Sequence, residues 1–216
     1  MVAEVEMFRL TAFLRHAGTI LLGCGCFGFA AGAWRSPLQG FYTGIKLPVI
    51  LLVTAFGNAL INGMLAPLFG VALDLRRSLA AVLLSYSIAS ILLGGIAPLI
   101  GFIVWNLAPL DSSKQATRSH DALLLSLIVA IAFSGVIANH RLVTLLRQLS
   151  TNSRSASRLF WSWLTINFIL GSQLSWISRP FIGAPRLAVR FVRADALHGN
   201  FYETVAHLLK GFFAAR

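Results

Sequence analysis

Five long apolar runs without charged residues, separated by shorter polar stretches, divide this chain. The runs lie at residues 17–34, 47–70, 79–106, 122–139 and 159–177. A bilayer core about 30 Å thick is crossed by roughly 20 apolar residues in a helix, so the runs have about the required length. The pattern therefore predicts an all-α, polytopic transmembrane helix bundle of about five spans.

The ends of the chain follow another pattern. Residues 1–16 mix apolar side chains with Glu4, Glu6, Arg9 and Arg15, and residues 200–216 place apolar side chains at roughly helical spacing. Such amphipathic stretches are typical of helices that lie on a membrane surface. We predict an amphipathic N-terminal segment (1–16), a transmembrane helical domain (17–177) and a basic amphipathic C-terminal tail (178–216).

Local features refine the first two runs. The first contains five glycines, and the pair Gly28 and Gly32 has the spacing that lets two helices approach closely. Ser36 and Pro37 are a typical helix start, with a serine cap before a proline. We expect a short surface helix over residues 37–46, with Lys46 at headgroup depth, and then a second span that begins at Leu47.

Amide side chains mark the second and fifth runs. Thr54, Asn58 and Asn62 are four residues apart, so they share one helix face and need polar partners inside the protein. The fifth run adds Asn167 and Gln173, and we take Asn58, Asn62, Asn167 and Gln173 as a candidate polar intramembrane face. Two interpretations stay open, namely hydrogen bonds between helices and a polar path or lipid-headgroup cleft.

Charge bears on orientation. Only 12% of residues are charged, about half the fraction of a soluble domain, and the net charge is +11. The first, third and fifth polar segments carry eight basic residues, the second and fourth carry four, and the tail carries six. Basic loops favour the cytoplasm, which predicts an inside N-terminus and an outside C-terminus. A first run that does not cross would instead place both ends on one side.

The basic residues of the tail are candidates for binding. Anionic lipid headgroups or an acidic partner attract clustered arginines, and a solvated basic edge is the alternative. We do not expect nucleic acid as a partner, since flanking arginines are typical of membrane spans. The candidates for lipid or partner contact are Arg179, Arg186, Arg190 and Arg193.

Catalytic and metal-binding motifs are missing from the sequence. Every Asp and Glu lies outside the apolar runs, whereas ion-coupled transporters usually place a carboxylate within the membrane. The histidines are scattered, and the two cysteines, Cys24 and Cys26, point in different directions on a helix. We therefore expect no enzyme, no cofactor and no metal site.

The order of features resembles the Yip1-like superfamily of small membrane proteins. About five closely spaced spans follow a short N-terminal region, Lys46-Leu47-Pro48 opens one span, and S-L-A-A-V-L-L-S at residues 78–85 opens the next. The similarity covers residues 17–177 and not the tail. It implies a non-enzymatic integral protein that engages membranes or protein partners, and it assigns no catalytic residue.

These observations lead to one expected function and one alternative. We expect a scaffold, or a membrane-organising or accessory subunit, that acts through a protein or lipid partner in a bacterial inner membrane. A homo-oligomer is compatible with this role. The alternative is a small channel or transporter subunit with an asparagine-lined polar path.

Overall fold

Five long helices lie in the part of the chain that the structure describes. The computed structural model describes residues 10–71, 73–107, 114–150, 152–182 and 188–206. The helices are α1 (Leu10–Gly32), α2 (Pro37–Leu65), α3 (Leu75–Asn106), α4 (Lys114–Leu149) and α5 (Ser153–Ile177), with a 3₁₀ turn at Pro67–Phe69. In these ranges the only β-type pairing recorded is an isolated bridge between Val71 and Ser150. The predicted all-α helical bundle is confirmed.

Four segments are long and apolar enough to cross a membrane. They are α1, α2, α3 and residues Arg118–Gln148 of α4. The fifth helix, α5, has 25 residues but a lower apolar content, and it does not join this set. A membrane protein with four candidate spans is therefore supported, and a fifth crossing by α5 stays a prediction.

The helix boundaries differ from the expected ones at two places. Helix α1 already begins at Leu10, so residues 10–16 continue directly into the first span, while residues 1–9 lie outside the described ranges. Ser36 caps α2 by accepting a hydrogen bond from the Gln39 N–H, as predicted, but α2 then runs unbroken to Leu65. The separate surface helix over residues 37–46 is therefore a wrong prediction.

The separate helix was predicted because residues 38–46 are too short and too polar to cross a membrane, and Lys46-Leu47-Pro48 was interpreted as the start of the span. Pro48 removes one backbone donor from the helix, which often ends a helix in water. Within a membrane bundle, neighbouring helices and polar side chains compensate such a loss, so the helix continues. Lys46 lies inside the bundle with only 3% of its surface exposed, and its expected position at headgroup depth stays a prediction.

Glycines bring the first three helices together. A Cβ atom added to Gly28 would lie 2.6 Å from the carbonyl oxygen of Thr43, and one added to Gly32 would lie 2.7 Å from that of Gln39. Gly94 of α3 meets the backbone of Gly23 in the same way. The predicted close approach at Gly28 and Gly32 is confirmed, with α2 as the partner.

The connections alternate between two ends of the bundle. Val71, after α2, pairs with Ser150, before α5, and these residues define the first end. At the second end, the rings of Trp34 and His120 lie 5.6 Å apart. Ile182, which follows α5, packs into the same hydrophobic cluster as Trp34. Helix α5 therefore runs the length of the bundle from the first end to the second.

Candidate functional site: a polar stripe along α2

One face of α2 is polar and buried over almost the whole helix. Seven buried residues follow one another at spacings of three or four, which keeps them on one side of a helix. Six of them are polar, and none is more than 8% exposed. The stripe consists of Gln39, Thr43, Lys46, Ile50, Thr54, Asn58 and Asn62.

The part of the stripe nearest the first end forms an amide network. The side-chain nitrogen of Asn58 donates to the carbonyl oxygen of Trp163, 3.1 Å away, and to the side-chain oxygen of Asn167. The hydroxyl of Tyr86 donates to the same Asn167 oxygen at 2.6 Å. Three helices, α2, α3 and α5, are thus joined by polar contacts, and Asn58 is completely buried among them.

Asn62 extends this network by one helical turn. Its side-chain nitrogen donates to the backbone oxygen of Asn58 at 3.1 Å and to the side-chain oxygen of Asn58. In this part of the stripe, two buried oxygens have no protein partner among the described residues, the hydroxyl of Thr54 and the side-chain oxygen of Asn62. The side-chain nitrogen and oxygen of Asn58 therefore both have hydrogen-bond partners, so this amide is saturated. Its neighbours in the stripe, Thr54 and Asn62, each keep one oxygen without a donor in the described part of the chain.

The part of the stripe nearest the second end holds the chain that leaves α5. The hydroxyl of Thr43 donates to the carbonyl oxygen of Phe181 at 2.6 Å, and the side-chain nitrogen of Gln39 donates to those of Phe181 and Pro180. These carbonyls belong to residues outside any helix, so side chains of α2 replace the donors that a helix would supply.

Lys46 is a buried cation that contacts the same segment after α5 as Gln39 and Thr43. Its ammonium group donates to the carbonyl oxygen of Pro180 at 2.7 Å. The rings of Phe191 and Phe181 lie 5.0 and 5.8 Å from it, at distances that allow cation–π attraction. A carbonyl dipole and two ring faces therefore stabilise the charge, and all three come from residues after α5.

The structure brings together three of the four predicted amide residues. Asn58, Asn62 and Asn167 form one network, whereas Gln173 lies further along α5 and accepts a hydrogen bond from the Phe201 N–H at 3.2 Å. The sequence analysis did not identify Tyr86 or the part of the stripe nearest the second end. The polar residues from Gln39 to Asn58 follow one another at spacings of three and four, interrupted only by Ile50, and this spacing could have identified them.

The tail arginines occupy different surroundings. The Arg179 guanidinium lies over the Trp176 ring, 3.1 Å from its centroid, and donates to the Trp176 carbonyl oxygen at 2.8 Å. Burial and the nearby Arg193 lower the pKa of Arg179, and Asp195 opposes them. Arg190 and Arg193 line a cavity of about 390 Å³. Arg186 lies outside the described residues, so the four are not shown to act together.

In the described ranges, no group of three or more His, Cys, Asp or Glu residues could hold a metal ion. Cys24 is buried with its sulfur 3.1 Å from the Ser90 hydroxyl, and Cys26 is exposed on another face of α1.

Comparison of the chain with protein-family models, curated proteins and solved structures finds no match.

Proposed function

We propose that this protein is a non-enzymatic integral membrane protein that works as a scaffold or accessory subunit through a protein or lipid partner. We place it in a bacterial inner membrane, with the first end of the bundle facing the cytoplasm. The resemblance to the Yip1-like superfamily supports the same class of role.

The saturated amide of Asn58 is the observation that carries this proposal. Both donors of its side chain are used by groups on α5, and its oxygen accepts from Asn62. An asparagine that lines a water-filled path would instead leave hydrogen-bonding groups free for water or a permeating species. The polar face of α2 is therefore better suited to holding helices in place than to conducting a solute.

One observation favours the alternative of a channel or transporter subunit. Gln39, Thr54 and Asn62 each keep a buried side-chain oxygen without a protein partner among the described residues, and all three belong to the stripe. A buried oxygen without a donor costs about 1–3 kcal/mol. A row of such oxygens could be satisfied by water or by a cation that passes along α2.

Substitution of Asn58 and Asn62 by leucine separates the two functions. For a packing role, we expect each change to lower the free energy of unfolding in lipid by about 0.6–1.7 kcal/mol, the range for polar contacts between transmembrane helices. Asn106→Leu is the matched control, because this exposed amide donates to the Phe102 carbonyl of its own helix and to no other helix among the described residues. It should change stability much less.

Flux measurements decide the outcome. In proteoliposomes, a packing role predicts that no ion or solute flux is found with the wild-type protein. A flux that disappears in Asn58→Leu and Asn62→Leu, while both variants keep wild-type stability, would instead establish the channel function. A loss of stability without any flux supports the scaffold proposal.

The partner itself is accessible by gentle purification. The full chain would be extracted from its own host into discs of native lipid, and the co-purifying molecules identified by mass spectrometry. A reproducible stoichiometric protein partner supports the scaffold or subunit function. Recovery of the chain alone would contradict a protein-based scaffold.

A further inference from the structure

A groove between α4 and α5 differs from the polar stripe in being open to the outside of the bundle. It has a volume of about 710 Å³, and its lining residues come from α4 and α5. Ala132, Val136 and Leu164 line one part of it, while Asn139, Thr144 and Arg147 line the other. The groove is therefore apolar towards the middle of the bundle and polar towards the first end.

From this groove we infer a binding site for one anionic phospholipid, with an acyl chain along the apolar part and the phosphate at Arg147. The site does not depend on whether the protein is a scaffold or a channel subunit. It lies at the opposite end of the bundle from the tail arginines, so it is a separate site.

Length supports a lipid as the occupant. Helix α4 rises about 22 Å from Ala132 to Arg147 at 1.5 Å per residue. Half a bilayer, from the midplane through the headgroups, measures roughly 20–22 Å. One leaflet of lipid therefore matches the lined part of α4, with Arg147 at headgroup depth and Ala132 near the midplane.

Charge complementarity supports an anionic headgroup. Between Asp121 and Asp195 the sequence contains eight arginines and no acidic residue, so neither wall of the groove carries a carboxylate. Asp74 lies at the same end, but it caps α3 by accepting from the Arg77 N–H at 2.8 Å and lines a different groove. A phosphate at Arg147 therefore meets no carboxylate from α5 or from the half of α4 that lines the groove.

The local geometry of the groove leaves room for an acyl chain. A Cβ atom added to Gly135 would meet no atom within 4 Å, and Val136 is 70% exposed. On the opposite wall, Phe160 and Leu164 of α5 are half-buried. An acyl chain in the groove would cover this apolar surface, as lipid does at other exposed faces of a bundle.

Native mass spectrometry of the purified full-length protein tests the site. The protein is titrated with phosphatidylglycerol and, separately, with phosphatidylcholine of the same acyl chains. We expect one phosphatidylglycerol to be retained preferentially. Arg147→Gln should weaken its binding about five- to tenfold, the effect of one basic side chain on an anionic lipid surface. Binding of phosphatidylcholine should change little.

Two controls make the result specific. Arg141→Gln removes the same charge from an exposed residue of α4 that does not line the groove, and it should leave binding within twofold. Gly135→Leu fills the apolar part and should weaken both lipids. Gly171→Leu adds the same side chain to open space on α5 and should weaken neither.

Three results would overturn the inference. Equal weakening by Arg141→Gln and Arg147→Gln would mean a diffuse basic surface. Unchanged lipid binding in Gly135→Leu would show that the acyl chain does not lie in the groove. Loss of a stoichiometric protein partner from native discs of Gly135→Leu, with lipid binding intact, would assign the groove to a partner helix instead.

Discussion

Gln39 and Thr43 fasten the chain after α5 to α2 through main-chain carbonyls. The Pro180 carbonyl oxygen accepts from Gln39 and Lys46, and the Phe181 carbonyl oxygen accepts from Gln39 and Thr43. Loss of one side chain leaves each carbonyl with a second donor, so it costs the net value of a hydrogen bond, about 0.5–1.5 kcal/mol. Each of these two side chains therefore controls how often residues 180–182 detach from the bundle.

We predict that Gln39→Leu or Thr43→Val releases the tail locally without unfolding the bundle. Because 1 kcal/mol corresponds to about a fivefold change in population, tryptic cleavage after the exposed Arg190 should accelerate about fivefold. Thr19→Val is the control, since its hydroxyl bonds the Arg15 carbonyl of its own helix. Equal cleavage rates in all three variants would show that the tail is held by other contacts.

Lys46 shows the limit of prediction for a single residue. A lysine before Leu-Pro at the edge of an apolar run is typical of an interface, so the sequence placed it at headgroup depth. Its actual partners, Pro180 and Phe191, are more than 130 residues away in the chain. Asn58 and Asn62 were recognised because their signal, a spacing of four within one run, is local.

At the level of the helix, the small residues of α1 decide how closely α2 and α3 approach. Gly28 faces the Thr43 carbonyl oxygen, and Gly23 faces the backbone of Ser90 and Gly94. Backbones this close gain van der Waals contact, which drives helix association in lipid. A methyl group at these positions would separate the helices.

We predict opposite effects for two alanine substitutions. Gly28→Ala should lower the free energy of unfolding by about 1–3 kcal/mol, because its Cβ would lie 2.6 Å from backbone. Gly101→Ala, where a Cβ meets nothing within 4 Å, should be neutral or stabilise α3 by up to about 1 kcal/mol. Detergent-induced unfolding followed by tryptophan fluorescence measures both. Equal effects would contradict the close packing of α1.

Element boundaries were predicted well where a local signal exists. Ser36 and Pro37 started α2 as expected, because capping depends on adjacent residues. Pro48 misled the prediction, since its effect on a helix depends on the surroundings that tertiary packing provides. The Tyr202 hydroxyl donates to the Ile169 carbonyl at 2.9 Å, so residues 201–206 pack on α5. The helical spacing of this stretch predicts a helix but does not indicate what that helix contacts.

At the level of the whole molecule, the orientation of the protein in the membrane determines which compartment each end of the bundle faces. Ser153 begins α5 at the first end, whereas the exposed Leu197 belongs to the tail, which follows α5 after the second end. If α5 crosses the membrane, these two residues face opposite compartments. Their accessibility therefore distinguishes five crossings from four.

We predict that a membrane-impermeant maleimide labels Leu197→Cys in sealed right-side-out vesicles and labels Ser153→Cys only after detergent is added. The background would be Cys24→Ala and Cys26→Ala, so that each variant has one thiol. Labelling of both residues under the same condition would mean that α5 does not cross. Labelling of Ser153→Cys alone before detergent would keep five crossings and reverse the orientation.

The long reach of the α2 hydrogen bonds has a consequence for synthesis. Asn58 and Gln39 find partners 105 and 142 residues later in the chain. At a synthesis rate of 5–20 residues per second, α5 and the following residues are translated about 5–30 s after α2. During that interval the nascent protein exposes an unsatisfied polar face to its insertion machinery. Chains truncated before α5 should therefore remain bound to that machinery or be degraded rapidly.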